Sequence, residues 1–270
     1  MTPPLLPAQE TPTRSPADEL REQIATVITH HARMHPRNLQ KTLGPSEIGH
    51  PCARKLVYHI IDAPKSNPGF DVLPSEIGIG YHARLEQHFQ AENTRLGWER
   101  YLTETQVQVW PGGEDDAGGL TGSCDLYDVE RQRVIDFKIL GDASYKWTKL
   151  HGPIISYRRQ LQLYGRGFER AGYPVESVAL VAIPKSGTTH GIWCHVEPYD
   201  QTVAAAMQTR WVQLLATADT LDVERHPQFM AAFEAVDEHC EFCPFLSRTP
   251  DGSGLQCPGP NEPLIPPQKQ

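Results

Sequence analysis

One stretch of the sequence, GSCDLYDVERQRVIDFK, contains three residues of types that can carry out metal-assisted hydrolysis. Asp125 lies on one predicted strand, and Asp136 and Lys138 lie two residues apart on the next, so these last two face the same side of a sheet. The polar turn ERQR would bring all three together. Two carboxylates can hold a divalent cation that polarises a phosphoryl oxygen, and a lysine can orient the attacking water. The grouping therefore fits phosphodiester hydrolysis.

A DxK string alone is weak support for a catalytic site, because acids and bases alternate on many solvated strands. Here the flanking residues are strongly apolar: Val134, Ile135, Phe137, Ile139 and Leu140. A strand of this composition is expected at the centre of a sheet. Charged groups in such a strand need partners or a metal.

Periodicity predicts three helices in the first third of the chain. Ser15 and Pro16 start the first helix, which runs to about His31. The stretch SEIGHPCARKLVYHI predicts a second helix, and Ser75 to Arg95 predict a third, which Gly97 can end.

The middle of the chain changes to strands. YLTETQVQVW, LTGSCDLYDV and RVIDFKIL predict a three-stranded antiparallel meander, with PGGEDDAGG and ERQR as turns. SYRRQLQLYGRGFERAG predicts a helix, followed by the strands SVALVAIPK and GIWCHVEPYD around the turn SGTT. DQTVAAAMQTRWVQLLATADTL predicts a long helix and PQFMAAFEAV a shorter one. The fold class is therefore α/β with a mixed central sheet.

Composition indicates one globular body, since 39% of the 270 residues are hydrophobic. Residues 17–257 form the predicted domain, and the proline-rich segments 1–16 and 258–270 are predicted flexible tails. No apolar run is long enough to span a membrane, and the N-terminus lacks the features of a secretion signal. We therefore expect a cytoplasmic protein.

The net charge of −8 argues against general affinity for nucleic acid. However, the segment from Arg131 to Arg170 contains nine basic residues and three acidic ones, as a cleft for a polyanion would need. Solvated helix and loop faces explain this charge equally well. Candidates for contacts with a phosphate backbone are Arg54, Lys55, Lys146, Lys149, Arg158 and Arg159, and candidates for stacking on single-stranded bases are Trp147 and Tyr157.

Several motifs together resemble the RecB-like branch of the PD-(D/E)xK nucleases, specifically its CRISPR-associated and phage exonucleases with an iron–sulfur cluster. GIGYHARLEQHF is similar to the first motif and places His82 as a metal ligand, with Glu86 one turn later on the same helix face. GSCD and IDFK resemble the second and third motifs. QLQLY resembles the QxxxY motif and places Gln160 and Tyr164 towards the site. The resemblance runs from about Ser46 to Cys257.

The resemblance implies a restriction-endonuclease-like fold flanked by helices. It also implies magnesium or manganese held by His82, Asp125, Asp136 and the carbonyl of Phe137, with Lys138 as the catalytic lysine. The implied activity is that of a DNA exonuclease acting on single-stranded DNA or DNA ends, in recombination, repair, phage or CRISPR-related processing. The oligomeric state stays open.

Six cysteines in a cytoplasmic protein indicate metal, cluster or buried-thiol roles rather than disulfides. Cys240 and Cys243 form a CxxC pair, Cys257 follows, and Cys52 lies far upstream, so the four can share a site only if these segments meet. The resemblance implies that these four ligate a 4Fe–4S cluster that joins the N- and C-terminal segments. Zinc is the alternative metal, and His239 is an alternative to the fourth cysteine. Cys124 and Cys194, among apolar neighbours, are predicted to be inert.

Two other functions are compatible with the same sequence. One is a non-catalytic DNA-binding protein that keeps the nuclease fold, although its His, Asp, Lys and Gln positions are intact. The other is a zinc-binding adaptor in which the cysteines are the functional part. Metal-dependent DNA degradation excludes the first, and iron rather than zinc in the protein excludes the second.

Overall fold

The computed structural model describes residues 15–34, 43–67, 71–112 and 118–260. Most of both predicted tails, and residues 113–117 of the predicted turn PGGEDDAGG, lie outside these ranges. The chain divides into two compact units, residues 1–40 and 41–270. In the first, helix α1 spans Pro16–Met34 and begins, as predicted, after Ser15, whose Oγ accepts a 3.2 Å hydrogen bond from the backbone N–H of Asp18.

The second unit is built on a five-stranded mixed sheet. Its strands are β1 (Tyr101–Trp110), β2 (Leu120–Asp128), β3 (Arg133–Leu140), β4 (Ser177–Pro184) and β5 (Trp193–Pro198), which lie side by side in this order. β1, β2 and β3 are antiparallel, β3 and β4 are parallel, and β4 and β5 are antiparallel. The predicted meander and mixed sheet are confirmed, and β3 is the central strand.

Helices flank this sheet. They are α2 (Pro45–Ile48), α3 (Ala53–Ile60), α4 (Leu73–Leu96), α5 (Asp142–His151), α6 (Ile155–Arg170) and α7 (Gln201–Thr220), with short 3-10 helices at Thr189–Gly191, Pro227–Ala232 and Cys240–Phe242. Gly97 ends α4 in the left-handed conformation, as predicted. α5 and α6 form the crossover that the parallel pair β3–β4 requires.

Three sequence-based expectations about these elements were wrong. The segment predicted as the second helix forms two separate helices, α2 and α3, because Pro51 disfavours helical geometry in the residue before it. PQFMAAFEAV forms only a short 3-10 helix. Cys194 is exposed, because the edge strand β5 buries neither face completely, whereas Cys124 is buried as expected. In addition, α5 had not been predicted.

The core of the sheet lies under α6. Tyr127 of β2 stacks on Phe168 of α6 with ring centroids 4.5 Å apart, and both are fully buried. Gly167 lets α6 approach β1, since a Cβ at this position would meet the Val107 side chain at 2.5 Å. The close approach positions the polar residues on the first turns of α6 over the centre of the sheet.

A second apolar cluster joins α3 to the last described residues. Tyr58 stacks on Phe245 at 5.1 Å, and the Tyr58 hydroxyl donates to the Gly254 carbonyl at 3.0 Å. Met230 and Val57 are fully buried in the same cluster. The segments that carry Cys52 and the three later cysteines are therefore packed together. None of the helices in the described ranges is long and apolar enough to cross a membrane.

Candidate active site

Three ligand-type side chains converge where α4 meets the first two strands. One ligand atom each from His82 on α4, Glu104 on β1 and Asp125 on β2 lie within 4.8 Å of one another. Nδ1 of His82 is 3.2 Å from Oδ1 of Asp125. His82 and Asp125 are both metal ligands predicted from sequence, and the structure brings these two together.

Asp125 is held by the backbone of β3. Its Oδ2 accepts a 2.7 Å hydrogen bond from the backbone N–H of Phe137. The pairing of β2 with β3 runs from Asp128↔Arg133 to Leu126↔Ile135. Beyond the last of these pairs, the Asp125 carboxylate takes the place of a backbone carbonyl on the neighbouring strand. This bond leaves Oδ1 directed towards His82.

Glu104 is a site residue that the sequence analysis missed. Its strand neighbours pair as Thr103↔Leu126 and Thr105↔Cys124, so it lies across from Asp125. It has a φ of 42°, an unusual value for a non-glycine residue, and such strain concentrates at functional sites. Partial desolvation, followed by the charge of Asp125, raises its pKa. In the sequence, Glu104 is one of several polar residues in the alternating strand YLTETQVQVW, and nothing distinguishes it from the others.

A second group lies next to the first on β3 and α6. Nζ of Lys138 is 2.8 Å from Oδ2 of Asp136. Gln160 joins the two, because its Nε2 donates to Oδ1 of Asp136 at 3.0 Å and its Oε1 accepts from Nζ of Lys138 at 3.2 Å. Asp136 and Lys138 thus share one face of β3, as predicted.

The charges of this pair depend on each other. Burial raises the pKa of Asp136 above its ordinary value, although Lys138 opposes the shift. Burial alone would lower the pKa of Lys138, but the Asp136 carboxylate outweighs it and the pKa is raised. Lys138 is therefore a cation at neutral pH. Its positive charge compensates the negative charge of the Asp136 carboxylate, which is only 3% exposed.

The residues fit a divalent cation. Oδ2 of Asp136 is buried and makes no hydrogen bond of good geometry, despite its ion pair with Lys138. Asp136 also interacts electrostatically with Asp125 and His82. Carboxylate oxygens suit magnesium and manganese, and an added imidazole is compatible with manganese. However, the three ligand atoms that converge belong to His82, Glu104 and Asp125 and do not include Asp136. The carboxylate of Asp136 is instead in contact with Lys138 and Gln160.

Aromatic residues and one close approach shape the walls of this site. The ring of Tyr157 lies 4.9 Å from Nζ of Lys138, and the Tyr164 hydroxyl accepts a 3.4 Å hydrogen bond from Gln160. A Cβ at Gly122, in the GSCD motif, would meet Pro45 at 2.5 Å and Tyr164 at 3.1 Å. Glu86, the remaining predicted site residue, accepts a hydrogen bond from Gln90 at 3.0 Å.

The cysteines form a separate site. Cys52, Cys240, Cys243 and Cys257 all line one cavity, together with His50, Lys55 and Tyr58. Burial, followed by Asp237, raises the pKa of Cys240 to about 12. His239, the alternative ligand of the sequence analysis, lines a different pocket beside Trp147. The four predicted ligands therefore share a cavity.

Backbone contacts hold the two cysteine-bearing segments together. The N–H of Arg54 donates to the Glu234 carbonyl at 3.0 Å, and the N–H of Asn67 donates to the Pro244 carbonyl at 3.0 Å. Cys257 is fixed by its own N–H, which donates to the Phe245 carbonyl at 2.8 Å. The meeting of distant segments that the cysteine spacing required is thus present in the fold.

The predicted DNA contacts differ in their availability. Arg54 is buried and its Nε donates to the Phe233 carbonyl at 3.3 Å, so little of its side chain is open to a phosphate. Arg158 is ion-paired with Glu197 at 2.7 Å, and Arg159 donates to the Gly49 carbonyl at 3.4 Å. Four candidates are exposed: Lys146, Trp147 and Lys149 on α5 and Arg158 on α6. Lys55 is half-buried.

No protein-family model and no curated protein matches the chain. Some solved structures resemble it in part. They are the alkaline exonuclease LHK-Exo from Laribacter hongkongensis (18% identity, TM-score 0.38, covering 56% of this chain and 72% of that one), SSO0001 (20%, 0.43, 65% and 76%) and a phage-related exonuclease from Haemophilus somnus 129PT (14%, 0.35, 61% and 81%).

Proposed function

We propose that this chain is a metal-dependent DNA exonuclease that hydrolyses phosphodiester bonds. The observation that carries the proposal is the convergence of His82, Glu104 and Asp125 beside the buried ion pair of Asp136 and Lys138. Such a site offers a place for a divalent cation and a fixed positive charge next to it. Both are what phosphodiester hydrolysis requires.

In this proposal His82, Asp125 and Asp136, with the carbonyl of Phe137, hold magnesium or manganese, and Glu104 is an additional ligand. A metal held by these residues would polarise the phosphoryl oxygen and lower the pKa of a water molecule. Lys138 orients the attacking water and stabilises its deprotonated form. Attack in line with the leaving oxygen yields 5′-phosphate and 3′-hydroxyl ends.

Gln160 positions Lys138 in this mechanism. It contacts both members of the ion pair, and it is itself 5% exposed on α6. The lysine is therefore held between a carboxylate, an amide oxygen and the Tyr157 ring. A side chain with four rotatable bonds gains a defined position from three such contacts. Tyr164 supports Gln160 from one turn further along the helix.

DNA is the proposed substrate, and the single strand or the end of a duplex is the proposed form. Support for this choice comes from the exposed residues Lys146, Trp147 and Lys149, which combine positive charge with an aromatic ring on one helix. The motif resemblance is the reason for proposing an exonuclease rather than an endonuclease. It is also the reason for proposing a role in recombination, repair, phage or CRISPR-related processing.

We also propose that Cys52, Cys240, Cys243 and Cys257 ligate a 4Fe–4S cluster in a cytoplasmic protein. Among the described residues, no three of the cysteine sulfurs lie within 4.8 Å of one another, unlike the ligand atoms of His82, Glu104 and Asp125. A single zinc ion would draw its sulfur ligands to about 3.8 Å from one another. A cluster interposes its own iron and sulfide atoms and needs wider spacing.

The nuclease proposal is tested by cleavage of end-labelled single- and double-stranded DNA with manganese or magnesium. The parent protein should degrade DNA, and Asp136→Ala and Lys138→Ala should lose most of this activity. His88→Ala, at an exposed position on α4, is a control for purity and handling. Equal cleavage by Lys138→Ala and the parent would exclude the proposed site. Substrates blocked at one end distinguish exonuclease from endonuclease and give the direction of digestion.

A further inference from the structure

A ring-lined pocket lies beside the candidate site, between α5, the start of α6 and the 3-10 helix Cys240–Phe242. Its aromatic lining is contributed by Trp147, Tyr157, His239 and Phe242, and Leu140 and Ile154 add aliphatic surface. The cysteine ligands do not line this pocket, and the proposed mechanism uses only Tyr157 of its lining. We propose that it binds an unpaired base of the DNA strand, next to the phosphate that is cleaved.

The exposure of these rings is the first observation that favours a ligand. Trp147 is 44% exposed and Phe242 60% exposed, although both line the same concave surface. Large aromatic side chains that face solvent around a pocket are typical of binding sites rather than of a folded core. A flat apolar group that enters here is covered by ring surface on several sides.

The rings are also held in place before any ligand binds. The indole of Trp147 stacks on His151, with ring centroids 4.7 Å apart and planes 30° from parallel. The ring of Phe242 lies 6.1 Å from that of His239, and Glu241 pairs with this histidine at 3.4 Å. Rings that are already fixed lose little conformational entropy when a base stacks on them.

The position of the pocket relates it to the candidate active site. Tyr157 lines the pocket, and its ring lies 4.9 Å from Nζ of Lys138. A base in the pocket therefore contacts a residue whose ring also contacts the proposed catalytic lysine. This inference rests on the proposed function, because it takes the phosphate beside Lys138 as the one that is cleaved.

The charge around the pocket fits a nucleotide better than an apolar peptide. Lys146 and Lys149 are exposed on α5, on either side of Trp147 and Thr148 in sequence, and can approach backbone phosphates. Ser144 and Thr148 add hydroxyl groups to the pocket wall. Aromatic faces with nearby cations are the general means of binding single-stranded nucleic acid without reading its sequence. A base in a duplex is paired and stacked, so only an unpaired base can enter.

The pocket also gives the cysteine segment a part in substrate binding. His239 and Phe242 lie directly before and between the cysteines of the CxxC pair, Cys240 and Cys243. A group bound by the thiols would fix the short helix that carries Phe242. Residues 239–243 therefore contribute side chains to both the cysteine site and the base pocket.

The test is binding of short single-stranded DNA that carries the fluorescent base 2-aminopurine at successive positions from one end. The full protein is used with EDTA, so that cleavage does not interfere. Stacking in the pocket should quench the fluorescence at one or two positions. Trp147→Leu and Phe242→Leu should abolish this quenching and weaken binding about 5- to 150-fold, which corresponds to the usual effect of removing one stacking ring. Trp147→Phe should keep most of both.

Matched controls separate this proposal from a general loss of fold. Trp98→Leu and Phe229→Leu remove rings that are 46% and 43% exposed elsewhere, and they should bind like the parent. If Trp147→Leu and Phe242→Leu also bind like the parent and keep the quenching, the pocket is not a base site, even when the parent degrades DNA. If the parent never cleaves DNA but the quenching is lost as described, the nuclease proposal fails and the base site stands.

Discussion

The Asp125 carboxylate bonds to the backbone of Phe137, the residue between Asp136 and Lys138, at 2.7 Å. One oxygen of Asp125 thus fixes the strand that carries the ion pair, while the other faces His82 at 3.2 Å. A single side chain therefore links the two groups of the candidate site. One oxygen therefore has a structural role, and the other is the one proposed to bind metal.

Substitutions of Asp125 should separate these two roles. Asp125→Asn keeps an oxygen that can accept from Phe137, so stability in EDTA should stay close to that of the parent. Manganese affinity should fall tenfold or more, because an amide nitrogen replaces the charged ligand oxygen. Asp125→Ala should lose manganese affinity and also stability in EDTA. The expected loss of stability is about 1–3 kcal/mol, because the Phe137 N–H is left without a partner.

Denaturant unfolding in EDTA and titration of free manganese by electron paramagnetic resonance measure the two effects. Unchanged manganese binding by Asp125→Asn would exclude this carboxylate as a ligand.

Two buried glutamines on α6 form a matched pair. Gln160 contacts Asp136 and Lys138, whereas Gln162 accepts from the N–H of Asp200 at 2.8 Å and donates to Glu197 at 3.2 Å. Gln160→Leu should slow single-turnover cleavage about 100-fold, because Lys138 loses a contact that positions it. Manganese affinity should fall as well, because Gln160 also holds Oδ1 of Asp136, a proposed metal ligand, so the rates are compared at saturating manganese.

Gln162→Leu is the control for the loss of a buried amide. It should reduce stability but leave the cleavage rate of the folded protein near that of the parent. Similar rates for the two variants would remove the positioning role of Gln160.

Much of this arrangement follows from sequence. The hairpin, the central position of β3 and the shared face of Asp136 and Lys138 all follow from alternation and apolar composition. His82 was recognised only through its resemblance to a motif, since a histidine on a helix has no local signal of its own. Gln160 and Tyr164 share a helix face because they are four residues apart, and only the resemblance of QLQLY to a motif directed that face towards the site.

The missed features depend on tertiary structure. Glu104 reaches the site through the register of β1 against β2 and through its positive φ, and neither is visible in local pattern. Arg54 looks like a surface cation in sequence, yet the packing of α3 against the C-terminal segment buries it. α5 was not predicted, because its mixed polar and aromatic residues give no clear apolar face.

Glu104 should affect stability in opposite directions with and without metal. Its carboxylate lies near that of Asp125, so Glu104→Gln removes a repulsion and should raise the melting temperature in EDTA. Manganese should then stabilise this variant less than the parent, because one ligand charge is missing. Differential scanning fluorimetry across a manganese titration measures both.

Glu86→Gln provides the comparison for Glu104. Glu86 is a neighbouring carboxylate that is not part of the converging set, and manganese should raise its melting temperature as it does for the parent. A manganese response of Glu104→Gln equal to that of Glu86→Gln would exclude Glu104 as a ligand.

The cysteine site makes a prediction about metal content. Cys243→Ser should lose iron and visible absorption, because one of four proposed ligands is removed. Trypsin should then cut the segment 240–257 faster, since its short helix is no longer fixed. Cys194→Ser, at an exposed thiol outside the cavity, should keep both iron and colour. Zinc in place of iron in the parent protein would contradict the cluster.

His59 predicts how stability changes with pH. Burial, and after it the charge of Lys55, lowers its pKa from 6.5 to about 4. The unfolded chain therefore takes up a proton at a higher pH than the folded protein does. The resulting stability is complete above pH 6.5 and is lost as the pH falls towards 4. A shift of this size corresponds to at most about 3 kcal/mol.

His59→Gln should show a smaller loss of stability between pH 7 and pH 4 than the parent, measured by urea unfolding at several pH values. Its stability at pH 7 should be somewhat lower, because the edge-on contact with Phe245 at 4.8 Å is lost. His88→Gln, at an exposed histidine on α4, should follow the parent curve. Parallel curves for His59→Gln and the parent would show that His59 does not carry this pH dependence.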